Sequence, residues 1–430
     1  MEFCNHLAYR GVPVTFVTTE FLHNKVRPKV NHGESKNRVR IVSLPDGLEA
    51  GTDRSDTSKL TESIWRNMPG HFSKLIGDIN NSCDNKISCV VADETIGWAL
   101  EIAEKMGIKR AAFWPVSMGV LALTLHIPKL IADGVMDENG NPRKNEMIQL
   151  SPDMPPMNMS DFVWNHPGNP KLRESVFKFM LAITQAAKIS NWHICNSYHE
   201  LEPAASNMIP NLLTVGPLLA STRLSEQTGH FWPEDSTCIT WLDKQPTRLV
   251  TYVAFGSTGI FNQCQLDELT DGLELSGRPF LLVLRSNLSG DIALQDGFKE
   301  RVAQFGKIVE WAPQQEVLAH PSIACFITHC GWNSTIEALS MGVPLVCWPY
   351  FADQIHDKNY ICDVWKVGFS LDRDENGIIS KDEIKRKIED VVSDNGVRLR
   401  VLEIKETAKK NVGAGGTSTK NLENFIQAIK

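Results

Sequence analysis

The chain has 430 residues, 42% hydrophobic and 22% charged, which fits a globular protein of two α/β domains and excludes wholesale disorder, collagen and coiled coil. A net charge of −7 excludes a dedicated nucleic-acid binder, which needs a basic face to neutralise phosphates. Ten cysteines without a Cys-x-x-Cys spacing, several inside apolar runs as Cys89 is, read as buried reduced thiols. The N-terminus lacks a basic segment followed by an apolar run, and no stretch reaches the ~18 apolar residues of a membrane span. A cytoplasmic, monomeric protein is expected.

Along the first half, residues 12–18, 39–44, 87–92, 110–114, 192–196 and 213–216 read as strands. Most lack strict alternation, as parallel strands buried on both faces do. Helical stretches lie between them, for example 97–106, where Trp98, Ile102 and Met106 recur at helical spacing. Repeated strand–helix units imply a doubly wound sheet. The polar run 221–236 breaks this pattern and reads as a linker. A second series follows, with strands at 249–255, 280–284, 307–310, 324–328 and 344–347. Its helices are expected at 267–275, 314–319, 334–340, 382–393 and 396–410, with a last one at 418–429 after the loop 413–416. The architecture implied is two Rossmann-like domains facing a cleft, with ligands at the carboxyl ends of both sheets.

The densest chemistry runs from Trp311 to Gln354. The strand 324–328 ends in His329-Cys330-Gly331-Trp332-Asn333-Ser334, which opens a helix. Gly331 permits a tight turn, Asn333 or Ser334 can cap, and the helix N-terminus offers N–H groups to a phosphate. His329 would add a charge-assisted bond. Glu337, one turn into the helix, suits ribose hydroxyls, and Trp311, at the end of another strand, suits stacking on a base. Asp353 and Gln354 can hydrogen-bond several hydroxyls of a sugar. Together these describe a clamp for a nucleotide sugar. Singly, Trp332 and Trp348 are more often core than ligand contacts.

This segment resembles, at full length and without gaps, the signature box of plant-type UDP-dependent glycosyltransferases (family 1), and the likeness extends over nearly the whole chain. The resemblance implies the GT-B arrangement, with an acceptor-binding domain at 1–220, a linker at 221–237, a UDP-sugar-binding domain at 238–412, and a loop and C-terminal helix at 413–430 returning to the first domain. It implies that Trp311 stacks on uracil, with Ala312 and Gln314 at its edge, and that Glu337 binds the ribose. His329, Asn333, Ser334 and Ser257 would bind the diphosphate, and Trp332, Asp353 and Gln354 the sugar. The final Gln points to glucose. UDP-glucose would be a co-substrate, with no cofactor or metal. The partner substrate would be a small lipophilic acceptor, a flavonoid or other phenol, alcohol or acid, glycosylated with inversion.

On the acceptor side, Asp93 ends the strand 87–92. It is either a helix cap or, by resemblance, the acid that orients a catalytic His. The family's His precedes a segment like the one that opens this chain, so the first strand, its loop and that base are expected to be absent from this sequence. His6 and His23 are the nearby substitutes. A catalytically impaired UDP-sugar-binding relative is therefore the alternative reading, and another two-domain nucleotide-sugar enzyme such as an epimerase is a third. Aromatic segments near 114–118, 162–164 and 177–181 suit either a flat acceptor or plain core packing. The run from Asp372 to Glu383 satisfies an EF-hand loop pattern, but it lacks a preceding helix and a paired loop, so a turn into the next helix is expected.

Overall fold

The computed structural model describes residues 1–26, 39–49, 51–54, 56–82, 86–144, 146–165, 170–219, 235, 237–256, 262–285 and 293–430. Two compact units emerge, one of Met1–Glu146, Trp164–Phe231 and Asn411–Lys430, the other of Met147–Val163 and Trp232–Lys410. The segment Met147–Val163 thus groups with the second unit, although the expected first domain ran unbroken to residue 220. Its two short strands, Met147–Ile148 and Met157–Asn158, pair antiparallel with each other and join none of the parallel sheets. The expected linker at 221–237 lies almost wholly outside the described residues.

In the first unit, Val14–Thr19 pairs in parallel with Val39–Leu44. A second parallel sheet runs in the order Cys89–Asp93, Lys109–Trp114, Trp192–Cys195, Leu212–Thr214. Alternate residues of a strand face opposite sides. Ala111, Ile194 and Val215 accordingly pack on one side against Phe3 and Leu7, while Ala92 and Ala112 pack on the other against Leu100 and Ala186. The helix Thr417–Ile429 belongs to the first of these clusters. Its Leu422, Phe425, Ile426 and Ile429 recur at helical spacing and are buried there. The Phe425 ring lies 5.4 Å from Trp192 and 6.0 Å from Phe3. Ser418 donates to the Gly216 carbonyl at 2.6 Å, and Asn421 to the Thr214 carbonyl at 2.9 Å. Burial of each large apolar side chain contributes about 1.5–3 kcal/mol.

One buried acid fastens this unit internally. The helix Met118–Ala132 gets no side-chain cap from Ser117. Its Gly119 N–H instead donates to Glu202 Oε1 at 2.8 Å, and the Ser197 hydroxyl donates to Oε2 at 2.7 Å. A carboxyl group distant in sequence thus satisfies an otherwise orphaned N–H of the helix N-terminus.

The second unit holds a six-stranded parallel sheet. We label its strands, in chain order, β1 (Val250–Ala254), β2 (Phe280–Val283), β3 (Gly306–Val309), β4 (Ile323–Thr328), β5 (Leu345–Cys347) and β6 (Gly368–Ser370). Their spatial order is β3-β2-β1-β4-β5-β6. Every residue of β1 and β4 is buried, which explains their continuous apolar character. The helix Gln263–Ser276 starts four residues before the sequence expectation because Asn262 caps it, accepting from the Gln265 N–H at 2.8 Å. Strand order reverses between β1 and β4, which makes the crevice beyond their carboxyl ends the place for a ligand.

Candidate active site

The ends of β1 and β4 meet at that reversal. β1 runs into Phe255-Gly256, and β4 into His329. A Cβ on Gly256 would lie 2.8 Å from the His329 ring, and one on Gly331 only 2.5 Å from its Nε2. These glycines therefore make room for the imidazole. The left-handed residue of the turn is Cys330, at φ 67°, while Gly331 is extended at φ −60°. The tight turn expected of Gly331 is thus supplied by its neighbour.

His329 is mostly buried, and burial alone pushes its pKa down to about 4. An imidazole with so low a pKa is neutral at pH 7. Its Nδ1 is buried and finds no hydrogen-bond partner among the described residues. Buried polar atoms are ordinarily paired, so this nitrogen is an exception that calls for a partner.

The helix Trp332–Met341 follows, with Gly331 as its N-cap and no capping side chain of its own. Asn333 and Ser334 lie inside the helix and do not cap it. The Trp332 N–H donates to Asp353 Oδ2 at 3.3 Å, so an acid from another loop serves the helix end. Burial raises the Asp353 pKa, against the lowering effect of that N–H. The Trp332 indole is itself buried, 6.4 Å from Trp365. Its ring packs in the core. Asn333 is exposed, and Gln354 is buried with Oε1 accepting from the Tyr350 and Phe351 N–H groups at 2.8 and 3.2 Å.

Around the first turn of that helix lies a polar network. Gln314 opens the helix Gln314–Ala319 and donates through Nε2 to Ser334 Oγ at 3.0 Å and to Glu337 Oε2 at 2.7 Å. Gln315 Nε2 donates to Glu337 Oε1 at 2.8 Å. Ala312 is buried beneath, and Trp311 follows β3. The Arg285 guanidinium lies 4.9 Å above the Trp311 ring and also donates to the Gly256 carbonyl. Ser257 lies outside the described residues.

In the first unit, Asp93 ends its strand and caps a short 3₁₀ turn, Glu94–Ile96, accepting from the Thr95 N–H at 2.9 Å. The capping reading is the observed geometry, and no histidine among the described residues bonds to Asp93. His6 lies 3.5 Å from an Arg10 guanidinium nitrogen on its own helix. Next to Asp93, the buried Glu94 bonds His193 Nδ1 at 2.9 Å. Trp114, Phe162, Trp164 and Phe177 are all core residues. In the EF-hand-like run, Asp374 accepts from the Asn376 and Ile378 N–H groups, and Asp372 and Glu383 pair with Arg386 and Lys387. The nine described cysteines are free thiols.

Residues 233–408 match the model of the UDP-glucoronosyl and UDP-glucosyl transferase family. UDP-glycosyltransferase 83A1 of Arabidopsis thaliana is 42% identical, over 100% of this chain and 93% of its own length. This chain belongs to the plant UDP-glycosyltransferases. Its fold is GT-B, and it is a transferase enzyme. The crystal structure of Os79 from O. sativa in complex with UDP superposes with a TM-score of 0.84 at 27% identity, covering 100% of this chain and 96% of that one. A second Os79 structure, with UDP and deoxynivalenol-3-glucoside whose glucose moiety is not resolved, gives a TM-score of 0.81 at 27% identity, covering 100% and 97%.

Two polar residues of this glycosyltransferase went unread in the sequence. Arg285 ends β2 two residues on, the position where a doubly wound sheet presents ligand contacts, so strand-end placement was its available signal. Gln315 follows Gln314 on one helix turn, and only the neighbouring helix reveals its partner. No helix among the described residues is long and apolar enough to cross a membrane.

Proposed function

We propose that this glycosyltransferase takes UDP-glucose as donor and passes the glucose, with inversion, to a small lipophilic phenol, alcohol or acid in the cytoplasm. The observation that carries the donor half is the convergence of His329, Gly256, Ser334, Glu337, Gln314 and Trp311 at the strand reversal of the second unit. In this reading Trp311 stacks on uracil beside Ala312 and Gln314, and Glu337 takes the ribose. Neutral His329 and the first-turn N–H groups near Asn333 and Ser334 face the diphosphate, which Ser257 would also bind. Asp353 and Gln354 face the sugar, with the backbone of Trp332 between them. The glucoside named with the similar Os79 structure is consistent with a glucose donor. No step in this reading calls for a metal.

Asp93 is the candidate orienting acid for a base that deprotonates the acceptor hydroxyl. One observation favours a second reading, a UDP-sugar binder with little turnover: Asp93 is engaged by the Thr95 N–H, and no described histidine holds it. Calorimetry with UDP and mass spectrometry of products from UDP-glucose and a panel of phenols and alcohols separate the two. Binding with a glucoside product is expected from the first reading. Binding without product would establish the second, and absence of UDP binding would sink both.

A further inference from the structure

Both oxygens of the Glu337 carboxylate accept from glutamine amides, Oε2 from Gln314 at 2.7 Å and Oε1 from Gln315 at 2.8 Å. The two donors play different parts. Gln314 is tied into a wider network, donating also to Ser334 at 3.0 Å and accepting from the Tyr252 hydroxyl at 3.4 Å. Gln315 grips the opposite oxygen from a neighbouring position on the same short helix. One donor on each oxygen fixes the plane of the carboxylate as a fork does, where a single donor would leave it to swivel.

The chemistry of the donors matters as much as their placement. An amide donor orients a carboxylate without cancelling its charge, and an ionised carboxylate is the stronger acceptor for hydroxyl groups. Fixing a half-buried Glu beforehand also removes part of the rotamer entropy that ligand binding would otherwise cost.

We infer that Gln315 is a positioning residue for the donor nucleotide: it pre-sets the Glu337 carboxylate to receive the two vicinal hydroxyls of a ribose. This rests on the reading that Glu337 binds the ribose. Gln315→Met removes the donor at nearly constant volume, and Gln315→Leu is a second variant scored in the same way. Calorimetry compares UDP with 2′,3′-dideoxy-UDP, which lacks both hydroxyls. Both variants are expected to weaken UDP about tenfold, or about 1.4 kcal/mol, and to leave dideoxy-UDP unchanged. In a Glu337→Ala background the substitutions are expected to add nothing. A purely structural role would weaken both nucleotides alike, and that result, or no change for either, would overturn the inference while Glu337→Ala still abolished the preference for UDP. If Glu337→Ala left that preference intact, the ribose reading itself would fall.

Discussion

Glu202 in the first unit and His356 in the second are both shut away from water, at 1% and 2% exposure, yet burial acts on them with opposite sign. Desolvation penalises whichever form is charged. It raises the Glu202 carboxyl from 4.5 to about 7, against the lowering effect of Ser197 and the Gly119 N–H. It depresses the His356 imidazole from 6.5 to about 3, as it does His329 to about 4. Between pH 4.5 and 7 the folded first unit keeps a proton on Glu202 that the unfolded chain releases. Its contribution to stability is therefore full below pH 4.5 and lost as pH rises through about 7. The unfolded chain protonates His356 near pH 6.5, while the folded one does not until about 3. That contribution is present above pH 6.5 and lost on acidification. The two buried groups thus answer the same pH change in opposite directions. The lesson is that the charge type of the buried group, not the architecture around it, sets the acid response.

The largest expected effect tests whether the last helix is integral to the first unit, without which the comparison of units loses its boundary. Phe425→Ala should cost about 3–5 kcal/mol, read as a drop in the denaturant midpoint, because the ring is buried against Phe3 and Trp192. A loss under about 1 kcal/mol would show the helix to be only loosely attached.

Glu202→Gln probes the acid side of the comparison. The variant lacks the penalty of ionising a buried carboxyl, so relative to the parent it should gain up to about 3 kcal/mol at pH 8 and less than about 1 at pH 5. Urea denaturation at the two pH values measures the difference. A constant difference would remove Glu202 from the account.

His356→Gln should show the reverse slope with a smaller span. The parent is expected to lose about 2 kcal/mol more than the variant between pH 8 and pH 5, because only the parent's unfolded state gains the His356 proton there. Slopes of equal sign for the two variants would break the comparison outright.

Much of the second unit was legible because its strands are continuous apolar runs ending in polar, glycine-bearing turns. The strand before His329 and the helix after Gly331 were readable to within two residues. The long helix Thr57–Ser82 was harder to read, since Pro69 lies inside it and proline ordinarily argues against a helix interior. Ser334 and Glu337 could be named as candidates from spacing along one helix. Gln315 and the capping by Asp353 could not, because each acts on a residue distant in sequence.

The sequence by itself determined the alternation of strands and helices, the composition of the buried sheets and the concentration of polar residues at strand ends. Those follow from local periodicity and burial, which a linear chain displays. The tertiary structure alone decided that β1 and β4 lie side by side, so that Gly256 and Gly331 clear space for His329. It also decided that the His329 ring is neutral and that two amides clamp Glu337. Desolvation and hydrogen bonding depend on which distant groups surround an atom, and that is settled only when the sheet closes over them.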